Sequence, residues 1–98
     1  MEKERVRSQL LVVIPAYNEE MNIRNVIDDL RKYCPEFDYL IINDGSTDDT
    51  LEVCRQNGYN VLDLSINLGI SGGFQAGMRY ALRNGYRYVV QFDGDGQH

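Results

Sequence analysis

Near the end of the sequence, Asp93 and Asp95 stand two residues apart with Gly94 between them. An apolar run ends just before them, at Phe92, so a strand would deliver both carboxylates at its carboxyl end. Hard oxygen ligands placed there suit Mg2+ or Mn2+ shared with a diphosphate, because such ions take one or two carboxylates and complete their shell with substrate oxygens. The plain alternative is a solvated acidic turn. A calcium-binding helix-loop-helix is excluded, since His98 stands where that loop needs glycine. His98 itself lies within reach of a metal held by Asp95 and is a minor candidate ligand. Asp44 follows the apolar run Tyr39–Ile42 and precedes Gly45. A carboxylate there can accept a hydrogen bond from a base imide or a ribose hydroxyl, or it can close an Asx-turn or cap a helix. In Pro15-Ala16-Tyr17-Asn18-Glu19-Glu20, Tyr17 can cover a nucleobase and Glu19 can hold a loop or a ribose. The alternative is a hydrophobic staple with favourable acids at a helix start, which suits Glu20. Finally, Gly69–Gly77 is glycine-rich at a helix start, where backbone N–H groups face anions. It lacks the Lys-Ser/Thr ending of a P-loop, and the first strand leads into no glycine fingerprint. Gly77 reads equally well as a close-packing residue.

These segments need elements to bring them together. Gln9–Ile14 is a short, β-branched apolar run that suits a strand buried on both faces, closed by Pro15. From Met21 to Cys34, apolar residues fall at Ile23, Val26, Ile27, Leu30 and Cys34, one face of a helix that Pro35 stops. Tyr39–Ile42 reads as a second buried strand. Ser46 or Thr47 is placed to cap a second helix, with Asp48 and Asp49 in its first turn, Leu51 and Cys54 facing inward and Gly58 as its left-handed stop. Asn60–Leu64 reads as an edge-like strand. Phe74, Gly77, Met78, Ala81 and Leu82 make a third helical face ending at Gly85, and Arg87–Phe92 a fourth strand. Arg79, Arg83 and Arg87 read as a solvated basic face. Three strand-helix-strand units in succession predict an α/β fold of three layers, α/β/α, around a mostly parallel sheet with right-handed crossovers. Ligands bind such sheets beyond the carboxyl ends of the strands, which is where all four polar segments fall.

Composition sets the outer bounds. The 98 residues make one small domain, since domains commonly run ~100–150 residues. Residues 1–8 read as a flexible N-terminal segment and 9–98 as the folded part. Ten Lys and Arg against fifteen Asp and Glu leave a net charge of −5, which argues against non-specific nucleic-acid binding and calls for a cation if the ligand is phosphorylated. The longest apolar run, Leu10–Ile14, is far short of the ~20 residues that cross a bilayer. The first residues lack the apolar core of a secretory signal. Cys34 and Cys54 have no zinc spacing and read as reduced thiols of a cytoplasmic protein.

Taken together, VVIPAYNEEMNI at Val12–Ile23, LIINDGSTDDT at Leu40–Thr50, NLGISGGFQAGMRYA at Asn67–Ala81 and QFDGDGQH at Gln91–His98 resemble the nucleotide-binding half of family 2 glycosyltransferases. The likeness is strongest to the dolichyl- and polyprenyl-phosphate sugar transferases. One of these motifs is weak by itself; four in the family's order are specific, and they run from about Leu10 to the last residue. The resemblance implies the GT-A fold, a Rossmann-like sheet cut off after the DxD motif. It implies that Pro15, Ala16, Tyr17 and Glu19 line a nucleoside pocket and that Asp44 contacts the base. Asp93 would face the ribose or the metal, Gly94 would leave backbone room for the nucleotide, and Asp95 would coordinate Mg2+ or Mn2+. It further implies inverting transfer of a sugar from a UDP- or GDP-linked donor to an acceptor hydroxyl or a lipid phosphate such as polyprenyl phosphate, at the cytosolic membrane face in several relatives. The family's acceptor site and general base lie further along than His98. The expectation is therefore a donor-binding half, inactive alone, with an unpaired sheet edge that favours self-association. Three other readings compete. A haloacid-dehalogenase-type phosphatase places its DxD after the first strand rather than the fourth. A sugar nucleotidyltransferase needs a glycine- and basic-rich loop where PAYNEE stands. A non-catalytic nucleotide-binding module is the rival for the isolated chain.

Overall fold

The computed structural model describes residues 9–92; the candidate ligands Asp93, Gly94, Asp95 and His98 and the expected N-terminal segment 1–8 lie outside them. Four strands and three helices alternate: β1 (Leu10–Ala16), α1 (Ile23–Tyr33), β2 (Asp38–Asp44), α2 (Thr50–Gln56), β3 (Val61–Leu64), α3 (Gly69–Arg83) and β4 (Tyr88–Gln91). The sheet order is β3-β2-β1-β4, and every pair is parallel. This is the predicted three-layer α/β arrangement. Alternation along β1 explains the layers. Val12 and Ile14 point to one face, where they meet Ile23, Val26, Ile27 and Leu30 of α1 and Cys54 of α2. Leu11 and Val13 point to the other, with Leu40, Ile42, Ala81 of α3 and Tyr86. The chain steps outward from β1 to β3 and then returns past β1 to β4. With crossovers of one hand, that reversal puts α3 on the face opposite α1 and α2. It also makes the carboxyl ends of β1 and β4 the switch point, where such sheets take ligands.

Several boundaries differ from the sequence reading, each for a physical reason. β1 does not stop at Pro15 but runs on to Ala16, with Pro15 opposite Ile42 and Ala16 opposite Asn43. The Gln9 and Val13 carbonyls accept N–H bonds from the β4 side, from Tyr88 and Phe92. By alternation, Pro15 also turns toward β4, beyond that strand's last pairing at Gln91. Among the described residues no paired ladder position therefore depends on its missing N–H. Neither Ser46 nor Thr47 caps α2, which begins only at Thr50 after Asp49; the intervening residues are committed to another loop, as described below. In α2 it is Val53, not Leu51, that packs beside Cys54 on the core.

The inner face of α3 also differs. Its buried residues are Gly73, Gly77 and Ala81, while the expected Met78 and Leu82 stand 43% and 76% exposed. Glycine explains the rotation. A Cβ on Gly77 would lie 3.0 Å from both γ-carbons of Val13, so the bare backbone rests directly on β1. The closest approach wins over side-chain volume, and the bulkier residues are turned aside.

Candidate functional site

The loops after β1 and β2 meet the start of α3 in one pocket of about 190 Å³. Its lining is Pro15, Ala16, Tyr17, Glu19, Ile42, Asp44, Gly69, Ile70 and Gly73. All five described residues that the sequence reading nominated for nucleotide contact thus converge, from two loops some 25 residues apart in sequence. Tyr17 stands half in solvent at 47% exposure, its ring available to cover a flat ligand. The β4 end of the sheet borders this place. Phe92, the last described residue, donates its N–H to the Val13 carbonyl, two residues before Pro15.

Asp44 has both of the roles weighed for it within reach. It is only 7% exposed. One carboxylate oxygen accepts the Leu68 N–H at 2.7 Å and the other the Gly69 N–H at 2.9 Å. The side chain of a neighbouring strand thereby caps α3, whose own preceding residue Leu68 makes no side-chain cap bond. A carboxylate offers about four acceptor sites, so these two bonds do not exhaust it, and Asp44 also lines the pocket. Of the N–H groups at the glycine-rich helix start, those of Leu68 and Gly69 are thus taken by the chain's own Asp44. Asn67 adds a bond from Nδ2 to the Asp44 carbonyl at 3.1 Å. Gly45 then has to be glycine. Its φ is +67°, and a Cβ there would sit 2.5 Å from the Asn67 backbone nitrogen.

The sequence reading missed how the two loops hold each other. The N–H groups of Asn18, Glu19 and Glu20 donate to Ser46 Oγ, Thr50 Oγ1 and Asp48 Oδ2 at 3.0, 2.8 and 3.3 Å. In return, the N–H groups of Thr47 and Asp48 donate to Asn18 Oδ1, and that of Asp49 to Glu20 Oε1. Ser46 Oγ donates onward to Asn43 Oδ1, and Asn43 Nδ2 donates to Asp63 Oδ1 at 2.8 Å, so the stitching reaches β3. Asn18 adopts a φ of +54°, a left-handed conformation that asparagine tolerates better than most side chains. The signal for all this was present as an asparagine directly after a strand and a dense run of Ser, Thr and Asp, but such residues bond locally as readily as across loops.

Electrostatics follow the hydrogen bonds. Burial alone would raise the Asp48 carboxyl; bonds from the Thr50 hydroxyl and from the N–H groups of Thr50 and Glu20 outweigh it and hold the group below its usual value of 3.8. Desolvation under α2 pushes the Cys54 thiol up to about 11, which leaves it inert as a nucleophile. A larger hollow, about 490 Å³, lies on the far side of the β2–α2 loop. It is lined by Asp48, Asp49, Glu52 and Asp63 with Arg55 as its one basic side chain, so its charge repels a phosphorylated ligand. The smaller pocket, with its apolar floor and aromatic ring, is the better ligand site despite its size. Among the described residues no cluster of His, Cys, Asp or Glu is arranged to hold a metal ion, and no helix is long and apolar enough to cross a membrane.

A parallel α/β sheet whose strand-end loops close a pocket at the switch point defines the class. The particular family follows from comparison: the model of glycosyl transferase family 2 matches residues 11–98, and the chain belongs to that family. Polyprenol monophosphomannose synthase of Mycolicibacterium smegmatis is 31% identical over 100 residues, covering 96% of this chain and 38% of that protein. Undecaprenyl-phosphate mannosyltransferase of Micrococcus luteus is 33% identical over 95 residues, covering 92% and 39%. The chain thus spans about two fifths of each of these two relatives. A mannosyltransferase from Pyrobaculum calidifontis, solved in complex with GDP-Man and Mn2+, superposes with a TM-score of 0.74 at 18% identity, over 92% of this chain and 28% of that one. That likeness identifies the fold as GT-A.

Proposed function

We propose that this chain is the donor-binding part of a metal-dependent, inverting glycosyltransferase that takes a sugar from a nucleoside diphosphate and passes it to a polyprenyl-type lipid phosphate or another hydroxyl-bearing acceptor. The observation that carries the reading is the convergence of Pro15, Ala16, Tyr17, Glu19 and Asp44 on one pocket beyond the carboxyl ends of the strands. In it, Tyr17 covers the base, the remaining acceptor sites of Asp44 take the base imide, and Glu19 faces the ribose. The names of relatives that act on polyprenol, undecaprenyl phosphate and dolichyl phosphate support the choice of acceptor class.

The pocket supports a metal by what it lacks. Its lining carries two carboxylates, Glu19 and Asp44, and no Lys or Arg, so a diphosphate beside it needs a cation. Asp93 and Asp95 follow Phe92 directly in sequence and are the hard oxygen donors that Mg2+ or Mn2+ prefers. The ion, when bound, stabilises charge developing on the departing nucleotide. The general base and the acceptor contacts are assigned, on this reading, to the part of the longer relatives that this chain does not match. Exposed Tyr88 and Val90 on outer strand β4 are the surface through which it self-associates. In the cell it works from the cytosolic side, where the lipid phosphate is met.

Calorimetric titration with GDP and UDP, with and without Mn2+, tests the proposal on the wild type and on Asp95→Ala. The expected result is binding of one nucleotide that Mn2+ strengthens and whose Mn2+-dependent part is lost in Asp95→Ala. A folded wild-type chain that binds neither nucleotide overturns the reading.

A further inference from the structure

The pocket's most useful side chains lie on a loop that the start of its own helix holds through the Glu19 carbonyl, which accepts the Asn22 and Ile23 N–H groups at 2.9 and 2.8 Å. Asn22, which precedes α1, makes no side-chain cap bond. The N–H groups of Asn18, Glu19 and Glu20 are held from across the sheet end by the β2–α2 loop, through Ser46, Thr50 and Asp48. Asn18 closes the loop from the other side by accepting two N–H groups on one oxygen, from Thr47 at 2.8 Å and Asp48 at 3.2 Å. Thr50 is wholly buried and serves both halves, since its hydroxyl accepts from Glu19 and donates to Asp48. None of these polar atoms needs the ligand for its own hydrogen bonding. Their geometric consequence is that Tyr17 and Glu19, on either side of Asn18, are aimed into the pocket beside Asp44.

We propose that Asn18 and Thr50 are positioning residues: their interlock holds the β1–α1 loop in the ligand-ready conformation, so that a nucleotide meets a pocket already arranged. The proposal rests on the nucleotide reading of the pocket. A protein whose competent conformation falls to a fraction of the population loses apparent affinity by that fraction. If the interlock is what populates it, releasing one anchor drops occupancy of the ready state to about a tenth and weakens binding roughly tenfold.

The variants are Thr50→Val, Thr50→Ser and Asn18→Gly. Valine keeps the buried shape and removes the hydroxyl; serine removes the methyl and keeps the hydroxyl. Glycine accepts the positive φ at position 18 and removes the oxygen. Each is titrated with GDP and UDP in Mn2+, at a temperature where its own unfolding curve shows it fully folded. Under those conditions a merely structural role leaves the dissociation constant unchanged. The expected result is roughly tenfold weaker binding for Thr50→Val and Asn18→Gly, with Thr50→Ser within about twofold of wild type even though its lost methyl lowers its thermal midpoint. Should Thr50→Val fail to fold, titration of Asn18→Gly beside wild type decides the question in its place. Wild-type binding matched by Asn18→Gly overturns the positioning role alone. A wild type that binds neither nucleotide overturns the pocket reading and this role with it.

Discussion

Replacing Asp44 should destabilise the whole domain as well as any bound nucleotide, and the cost can be worked from its two hydrogen bonds. Each oxygen of the carboxylate holds one N–H at the start of α3, at 2.7 and 2.9 Å. Bonds to a charged group contribute about 1.5–3 kcal/mol each when their loss leaves a buried partner stranded, which would put Asp44→Ala near 5 kcal/mol. The released N–H groups are not stranded, however. Leu68 is exposed and Gly69 half-buried, so water can replace the carboxylate. The cost then falls toward that of losing a helix cap, about 0.5–2 kcal/mol, plus the lost charge–dipole attraction of about 0.3–1 kcal/mol. Together these place Asp44→Ala near 2 kcal/mol. Asp44→Asn retains one acceptor and should cost about 1 kcal/mol, by the same reasoning. Urea denaturation at neutral pH reads the difference: with a slope of about 1 kcal/mol/M for so small a domain, the midpoint of Asp44→Ala moves down by about 2 M. A midpoint for Asp44→Ala within about 0.5 M of wild type would refute the idea that this carboxylate anchors α3.

Two further outcomes follow from the same loops. Gly45→Ala forces a Cβ to 2.5 Å from the Asn67 backbone nitrogen at a φ of +67°, so it should cost about 3 kcal/mol or more and lower the thermal midpoint by upwards of 10 °C; an unchanged midpoint would mean that the loop relaxes freely. Asp48, whose folded carboxyl lies below 3.8, stabilises the fold above that pH and loses the contribution as pH drops through the lower folded value. Asp48→Asn should therefore be less stable than wild type at pH 7 and approach it as the pH falls from 3.8 through the lower folded value, as read from urea midpoints; a gap that stays constant with pH would rule the carboxylate out.

The parts of the fold legible in the sequence were those set by local periodicity. Ile23, Val26, Ile27 and Leu30 declare the inner face of α1 because each brings its own apolar surface, and all four are buried. On α3 the reading puts Gly77 and Ala81 inward, as they are, but hydropathy also puts Met78 and Leu82 there, and these the close contact of Gly77 with Val13 turns aside. Pro15 looked like a terminator because its missing donor matters only when a partner waits for it, and strand order, not local sequence, decides that. The start of α2 was misplaced for a related reason. Ser46 is a good cap by type, but its hydroxyl is taken by Asn18 and Asn43, which lie in other segments. For the candidate site, residue types and their position after strands were enough to nominate Tyr17, Glu19 and Asp44; the partners that hold Glu19 and Asp44 were not, because those bonds span 24 to 31 residues.

That division has a chemical consequence for the site. Loops stitched through their own backbone N–H groups have few left to offer, and here the start of α3 is already occupied by Asp44. The described pocket has two carboxylates, Glu19 and Asp44, and no Lys or Arg in its lining. Such a surface suits the donor edge of a base and the hydroxyls of a ribose, and it disfavours phosphate. On the proposed reading, base and sugar recognition belongs to the β1 and β2 loops, while the diphosphate depends on a cation supplied at the end of β4. The net charge of −5 acts in the same direction, since it disfavours the anionic donor except where a metal offsets it. On that reading, two acidic segments, one to read hydroxyls and imides and one to recruit the ion, would do the work that a single glycine-rich helix start does in folds whose first N–H groups are left open.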